Sequence, residues 1–202
     1  MALRDKFRYI SLAQLNTLDG APGSRRPNLI AWLQMQARSG VNIVTFCEAN
    51  GWQDLERADD ISKNRLVIEQ IAASGGYSFV HVTDFGKPSN TSSASENKAH
   101  PYNLGIISTS PFEVLSSIGP PQLQRGLMHT YFPRTKLHLV VLHLHAHSTS
   151  ARLLEARLVI EYLRALLAKE ERIILTGDFN SLNPLDKKRS SNSSTQFTNR
   201  QI

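Results

Sequence analysis

The stretch Leu175-Thr176-Gly177-Asp178-Phe179-Asn180 closes an apolar run that begins at Arg172. In a strand, side chains at i and i+2 point to the same face, so Asp178 and Asn180 are predicted to converge on one bound group while Phe179 turns into the core. Asp and Asn also dominate ordinary turns, so this pattern alone fits a turn equally well. A functional site is indicated only if other segments of the chain agree with it.

Three other apolar runs end in the same way. Asn16 follows the run 9–15, Glu48 follows the run 41–47, and His143 and His145 close the run 137–142. One such ending carries little information. Several of them, in a chain whose strands alternate with helices, predict a site assembled at one edge of a sheet.

These motifs, in this order, resemble those of the endonuclease/exonuclease/phosphatase superfamily, the DNase I-like metal-dependent phosphodiesterases. Leu15-Asn16-Thr17 resembles the first-strand Asn of that family, and Phe46-Cys47-Glu48 resembles its metal-binding Glu. The segment 102–108, which begins Tyr102-Asn103, resembles the middle strand. Leu142-His143-Leu144-His145-Ala146 resembles the His motif, and Gly177-Asp178-Phe179-Asn180 resembles the family's most diagnostic tetrapeptide.

The resemblance covers roughly residues 8 to 186 and implies an α/β fold, the DNase I-like four-layered α/β sandwich, in which two packed mixed sheets carry outer helices. Alternation of strands and helices alone would equally suggest an open parallel sheet. We expect residues 1–186 to form this domain, incomplete at its C-terminal end, and residues 187–202 to form a polar, disordered tail.

Hydrophobic periodicity predicts helices over 27–38, 61–73 and 151–169, and strands over 77–83, 103–108, 112–117, 128–132 and 136–143. The segment 86–101 is predicted to be a loop, because it is rich in Ser, Asn, Gly and Pro. In the longest helix, one set of residues is expected to face a core: Leu153, Leu154, Leu158, Tyr162, Leu166 and Leu167. A second set is expected to face water: Arg152, Glu155, Arg164 and Glu170.

Composition fits one soluble domain, since 202 residues with 41% hydrophobic content can bury a sizeable core. No apolar segment is longer than a strand, and the first eight residues lack the apolar core of a secretory signal, so we expect an intracellular protein, cytoplasmic or nuclear, without a membrane span. The single cysteine, Cys47, is expected to pack as a small hydrophobe. A formal charge of +6 suits a polyanionic partner, either nucleic acid or an anionic membrane surface.

The resemblance implies roles for four of the strand-end residues. Glu48 is expected to bind a divalent cation, Mg²⁺ or Mn²⁺, with Asn16 as a second ligand or as an orienting group. Asp178 would orient or deprotonate the attacking water, and Asn180 would donate to a phosphoryl oxygen or help to hold the metal.

A histidine would stabilise the charge of the phosphoryl group, and His143 and His145 both qualify because they lie on one face at i and i+2. The loop 146–151 that follows favours His145 slightly. Asn103 and Tyr102 are expected near the substrate cleft, although packing into the core is an equal alternative for Tyr102.

The chain departs from the family after Asn180, because family members continue to a Ser-Asp-His motif and no His follows His147 here. We therefore expect a truncated chain and keep two functions open. The first is a divalent-metal-dependent phosphodiester hydrolase, a nuclease or phosphodiesterase, impaired by the missing segment, with nucleic acid favoured over a lipid head group. The second is a catalytically inactive domain of the same fold that binds a phosphate ligand or a protein.

Overall fold

The computed structural model of the chain describes residues 9–53, 55–56, 65–85, 102–169 and 171–181. The predicted loop 86–101, the predicted tail 187–202 and residues 61–64 of a predicted helix lie outside the described residues. The elements follow in chain order: β1 Leu12–Asn16, α1 Arg25–Arg38, β2 Ile43–Cys47, β3 Leu55–Glu56, β4 Arg65–Leu66, α2 Val67–Ser74, β5 Phe79–Val82, β6 Leu104–Ser108, β7 Glu113–Ile118, β8 Leu127–Phe132, β9 Leu137–His143, α3 Thr149–Leu167 and β10 Arg172–Asp178.

Helix boundaries follow the local sequence signals. Pro27 lies in the first turn of α1, where its missing N–H breaks no helical hydrogen bond, and Gly40 with φ of 81° follows the end of that helix. Ser148 caps α3 by accepting a hydrogen bond from the Ala151 N–H at 3.2 Å. The second helix begins later than predicted, at Val67, because the two residues before it form β4 and pair with β3 in a short hairpin.

The strands form two mixed four-stranded sheets. The first has the order β1-β2-β6-β5 and the second has the order β10-β9-β8-β7. Each sheet contains one parallel pair, β1 with β2 and β10 with β9, and its other pairs are antiparallel. This arrangement excludes the open parallel sheet and confirms the four-layered sandwich.

Three apolar clusters lie between the four layers. The cluster between the two sheets includes Cys47, Leu104, Met128 and Leu139. A second cluster joins the first sheet to α1 and α2, and a third joins the second sheet to α3.

Burial raises the pKa of Cys47 to about 12, so its thiol is neutral and packs as predicted. Among the described residues, no helix is both long and apolar enough to cross a membrane.

The orientation of α3 differs from the prediction. Leu153, Leu154, Leu158 and Leu167 are 45 to 61% exposed, whereas Glu155 is only 6% exposed. Apolar residues surround most of this helix, so its periodicity is compatible with more than one inner face. The face that packs on the second sheet carries Val159 with Ala156, Tyr162 and Leu163. Glu155 shares this buried side because its carboxylate accepts backbone hydrogen bonds.

The parallel pairs bring four carboxyl ends to one end of the sandwich. Asp178 at the end of β10 is in register with His143 at the end of β9. A Cβ at Gly177, which has φ of 135°, would lie 1.8 Å from the Leu142 carbonyl oxygen, so only glycine allows this approach of β10 to β9.

Strand β10 ends at Asp178, so the alternation of its side chains between the two faces of the sheet stops there. Phe179 is consequently 39% exposed, not buried in the core as predicted.

Candidate active site

The side-chain amide of Asn16 joins the ends of the two sheets. Its Nδ2 donates to Glu48 Oε1 at 3.2 Å and to Asp178 Oδ2 at 3.0 Å. Its Oδ1 accepts from the Leu18 N–H at 2.9 Å. The amide nitrogen therefore faces the two carboxylates, and the amide oxygen is used by the adjacent loop. This geometry favours Asn16 as an orienting group over Asn16 as a metal ligand.

Glu48 leaves its strand in a left-handed conformation, with φ of 60°. Such a backbone is unfavourable for a residue other than glycine and persists only where the surroundings hold it. Here the Thr17 hydroxyl donates to the Glu48 carbonyl at 2.7 Å, and the Asp19 N–H donates to Oε2 of Glu48 at 3.1 Å. The loop after β1 thus fixes both the backbone and the carboxylate of Glu48.

Asp178 is held as a carboxylate. Burial on its own would raise the pKa of Asp178, but hydrogen bonds from Asn16 and from the Asn180 N–H, with the nearby His143 and Arg125, lower it below its usual value. The Asn180 N–H donates to Oδ1 at 2.9 Å. Asp178 is therefore ionised at neutral pH and can accept from a bound water or hold a cation.

Arg125 supplies a cation that sequence reasoning missed. Its Nη1 lies 3.2 Å from Glu48 Oε1 and 2.8 Å from His143 Nε2, and its guanidinium carbon is 3.9 Å from the centroid of the Tyr102 ring. Arg125 precedes β8 in a loop, where a single basic residue is usually a solvated surface group. No local motif distinguishes it, so only the fold reveals its position.

His143 is neutral and buried. Burial, and then the adjacent Arg125 charge, lower the pKa of His143 to about 4, against the opposing effect of Asp178 and Glu48. Arginine only donates, so His143 Nε2 must accept from Arg125 and its proton must lie on Nδ1. Nε2 lies 3.8 Å from Asp178 Oδ2 and 4.0 Å from Glu48 Oε1. The fixed positive charge of this cluster is therefore on Arg125.

His145 has a different position and a different set of contacts. Its Nδ1 accepts from the backbone N–H groups of His147 and Ser148, both at 3.1 Å. The ring thus organises the turn that leads into α3. Among the described contacts, the ring of His143 reaches the carboxylates and Arg125, whereas the ring of His145 is used by this turn. Of the two histidines, His143 contacts this cluster, whereas the sequence favours His145.

The remaining predicted residues take different places around the cluster. Tyr102 packs against Arg125 and lies edge-on to His143 at 5.8 Å between ring centroids, so it forms a wall of the site. Asn103 is buried beneath, and its Oδ1 accepts from the Phe85 N–H at 3.4 Å.

The Asn180 Nδ2 donates to the Leu144 carbonyl at 2.7 Å. Asn180 therefore ties two strand ends together through this amide.

An open cleft of about 1070 Å³ borders Asp178 and Asn180. Phe179, the start of α3 and the segments that follow β9 and β10 line the rest of it, with Leu144, Ala146, Thr149, Arg152, Leu153, Ala156 and Ser181. The cleft extends from the Asp178 carboxylate to a helix wall that carries both polar side chains, Thr149 and Arg152, and apolar ones, Leu153 and Ala156.

The donor set fits a hard divalent cation. Glu48 and Asp178 carry two negative charges, Arg125 carries one positive charge, and His143 is neutral, so the cluster has a net charge of about −1 at neutral pH. Carboxylate oxygens are the ligands that Mg²⁺ and Mn²⁺ prefer. Across the described ranges, no group of three or more His, Cys, Asp and Glu side chains suited to a metal is present. Water or substrate oxygens would complete the coordination of an ion held here.

No protein-family profile and no curated protein sequence matches this chain. Solved structures do match its fold. D. rerio TDP2 complexed with single strand DNA product has a TM-score of 0.53 at 17% identity, over 90% of this chain and 64% of that one. The human Nocturnin catalytic domain has a TM-score of 0.51 at 15% identity, over 92% of this chain and 69% of that one.

An endonuclease/exonuclease/phosphatase family protein from Bacteroides thetaiotaomicron has a TM-score of 0.50 at 15% identity, over 85% of this chain and 63% of that one. The chain thus spans between 63 and 69% of the length of these three structures. At such identities the likeness shows the fold, and the chain has the DNase I-like fold of this superfamily.

The contact between Arg125 and His143 predicts a change in a titration. In Arg125→Met an apolar side chain replaces the cation, so the pKa of His143 should rise above its value of about 4, because burial would then be opposed by Asp178 and Glu48 without the Arg125 charge. A histidine-selective NMR titration measures it. Arg164→Met, on the exposed side of α3, is the matched control. An unchanged His143 titration in Arg125→Met would show that the guanidinium does not contact the ring.

Proposed function

We propose that this chain, which has the fold of the endonuclease/exonuclease/phosphatase superfamily, is a divalent-metal-dependent hydrolase of phosphate esters, of the nuclease or phosphodiesterase type. The observation that supports it best is the pair of carboxylates, Glu48 and Asp178, bridged by the Asn16 amide at 3.2 and 3.0 Å. A cation held by the two carboxylates, beside a guanidinium, would stabilise the negative charge that develops when a phosphoryl group is transferred.

Glu48 and Asp178 would hold Mg²⁺ or Mn²⁺ through their oxygens. The ion would supply positive charge to the phosphoryl oxygens and to the leaving oxygen, where negative charge develops. Asn16 fixes the separation of the two carboxylates. The side chain of Glu48 is only 14% exposed, so its carboxylate would meet the ion with little competition from bulk water.

Arg125 would bind a phosphoryl oxygen, and His143 would position Arg125. The guanidinium stays charged at every accessible pH, whereas the His143 ring is buried behind it and neutral at neutral pH. Asp178 would accept a hydrogen bond from the attacking water and orient it. With its lowered pKa, Asp178 is a weak base, so orientation is the greater part of its role.

Loss of the Glu48 charge should weaken metal binding. In Glu48→Gln, titration calorimetry with Mg²⁺ or Mn²⁺ should show an affinity about tenfold lower or lower still, because a neutral amide is a poorer ligand for a hard cation. Glu161→Gln, an exposed residue of α3, is the control. Equal affinities for Glu48→Gln and the unmutated chain would refute the assignment of Glu48.

Activity separates the two functions that remain open. Hydrolysis of bis(p-nitrophenyl) phosphate that requires Mg²⁺ and is lost in Glu48→Gln would support the enzyme. Metal and phosphate binding without hydrolysis would instead support a catalytically inactive, phosphate-binding domain of the same fold.

Nucleic acid is the substrate class that we favour over a lipid head group. The chain has a formal charge of +6, which suits a polyanion. The D. rerio TDP2 structure, which shares the fold, was solved with a single strand DNA product.

A salt titration tests this preference. The affinity for a fluorescent single-stranded oligonucleotide should fall by about tenfold or more between 50 and 200 mM salt, because bound phosphates release counterions. Binding of a head-group phosphate such as inositol phosphate in a small pocket should change less. If the chain binds neither DNA nor RNA at low salt, nucleic acid is not its substrate.

A further inference from the structure

Glu155 is a buried carboxylate that the proposed chemistry does not use. It lies on α3 and is 6% exposed, although the sequence predicts it on the solvent side of that helix. A buried carboxylate is costly unless hydrogen bonds satisfy it. The position of Glu155 therefore needs a reason, and its contacts provide one.

The two oxygens of Glu155 bind two different loops. Oε1 accepts from the Gln124 N–H at 2.9 Å, and Oε2 accepts from the His145 N–H at 2.6 Å. Gln124 belongs to the loop that leads into β8, and His145 belongs to the loop that follows β9. Backbone donors to an ionised acceptor form strong, short hydrogen bonds, so the carboxylate fixes the spacing of these loops.

Both loops carry residues of the candidate active site. Gln124 directly precedes Arg125, and His145 is two residues after His143. The ladder between β8 and β9 pairs Leu127 with Leu142 and then ends. One more bond follows, from the His143 N–H to the Gly126 carbonyl at 3.0 Å. Beyond this bond, Glu155 accepts from the Gln124 N–H on one side and from the His145 N–H on the other, so its carboxylate connects the two loops where the ladder stops.

Arg152, one turn earlier on α3, binds the same loop through its acceptors. Its Nη1 donates to the His145 carbonyl at 2.8 Å and to the Ala146 carbonyl at 3.2 Å. The helix thus binds the loop after β9 through an N–H group and through two carbonyl groups. The backbone on both sides of the His145 Cα is therefore bound to α3. Because the loop after β9 is fixed to the helix, Glu155 can hold the other loop in a defined position.

We infer that Glu155 is a positioning residue of the candidate active site, which holds the loop of Arg125 against the loop that follows His143. Its carboxylate keeps the Arg125 guanidinium 2.8 Å from His143 Nε2 and beside Glu48. The loss of catalysis that we expect when Glu155 is changed rests on the proposed function. The contact between Arg125 and His143 can be measured without any hydrolysis.

Glu155→Gln tests this role with almost no change in volume. One carboxylate oxygen becomes an NH₂ group, which faces a backbone N–H and cannot accept from it. We expect the NMR signal of the Arg125 guanidinium, assigned by its loss in Arg125→Met, to move toward that of a free arginine. The affinity for inorganic phosphate and the kcat for a phosphodiester should each fall by about 10- to 100-fold, because small displacements of a binding group are costly. Glu161→Gln, on the same helix, is the control for both.

A second variant separates position from charge. Glu155→Asp keeps the carboxylate but has a side chain too short to span both loops, so it should show the same loss as Glu155→Gln. If either folded variant retains the Arg125 signal and binds phosphate within twofold of the unmutated chain, the proposal is overturned. Failure of both variants to fold would also overturn it, since Glu155 would then be required for the fold itself. If the unmutated chain hydrolyses nothing but Glu155→Gln still shifts the Arg125 signal, the proposed function alone is refuted.

Discussion

The proximity of two carboxylates is the constraint on which this site depends. Glu48 and Asp178 belong to different sheets, and their like charges would drive the ends of the sheets apart without intervening donors. The Asn16 amide provides two donor bonds between them, at 3.2 and 3.0 Å, and Arg125 adds a positive charge at 3.2 Å from Glu48. The bridge from Asn16 therefore links the packing of the sandwich to the proposed active site at its end, and the two carboxylates leave negative charge for the proposed cation.

Burial divides the charges of the site between its residues. His143 is fully covered and neutral, so it cannot provide the positive charge for a phosphoryl group at neutral pH. In the proposed function Arg125 takes this role, because a guanidinium does not lose its proton. Its donors are held by groups that are themselves fixed: the Tyr102 ring beneath it, the His143 ring beside it and the loop that Glu155 binds.

Strand ends could be predicted from the sequence because each depends on a local pattern. Asn16, Glu48, His143 and Asp178 each follow an apolar run, and parallel pairing brings such ends together. Arg125 could not be predicted, since it lies in a loop and reaches the site only through the pairing of β8 with β9. The choice between His143 and His145 was open for a related reason. Their i and i+2 spacing places both on one face, and the turn that engages His145 is visible only in three dimensions.

The errors concern residues whose surroundings are set by tertiary structure. The sequence predicts Phe179 in the core, but β10 ends one residue earlier and leaves this side chain exposed. The sequence predicts that Glu155 faces water, because a charged residue on an amphipathic helix usually faces solvent. Its burial depends on two backbone donors from distant loops, which no helical periodicity reports.

The position of a bound metal ion tests the central claim most directly. Crystals of the chain soaked in Mn²⁺ and measured at an energy that gives an anomalous signal would locate the ion without any assay of activity. We predict one strong peak within ligand distance of carboxylate oxygens of Glu48 and Asp178, about 2.0 to 2.3 Å for a hard cation with oxygen ligands. A peak elsewhere, with no density between these two carboxylates, would contradict the assignment of this cluster as a metal-dependent active site.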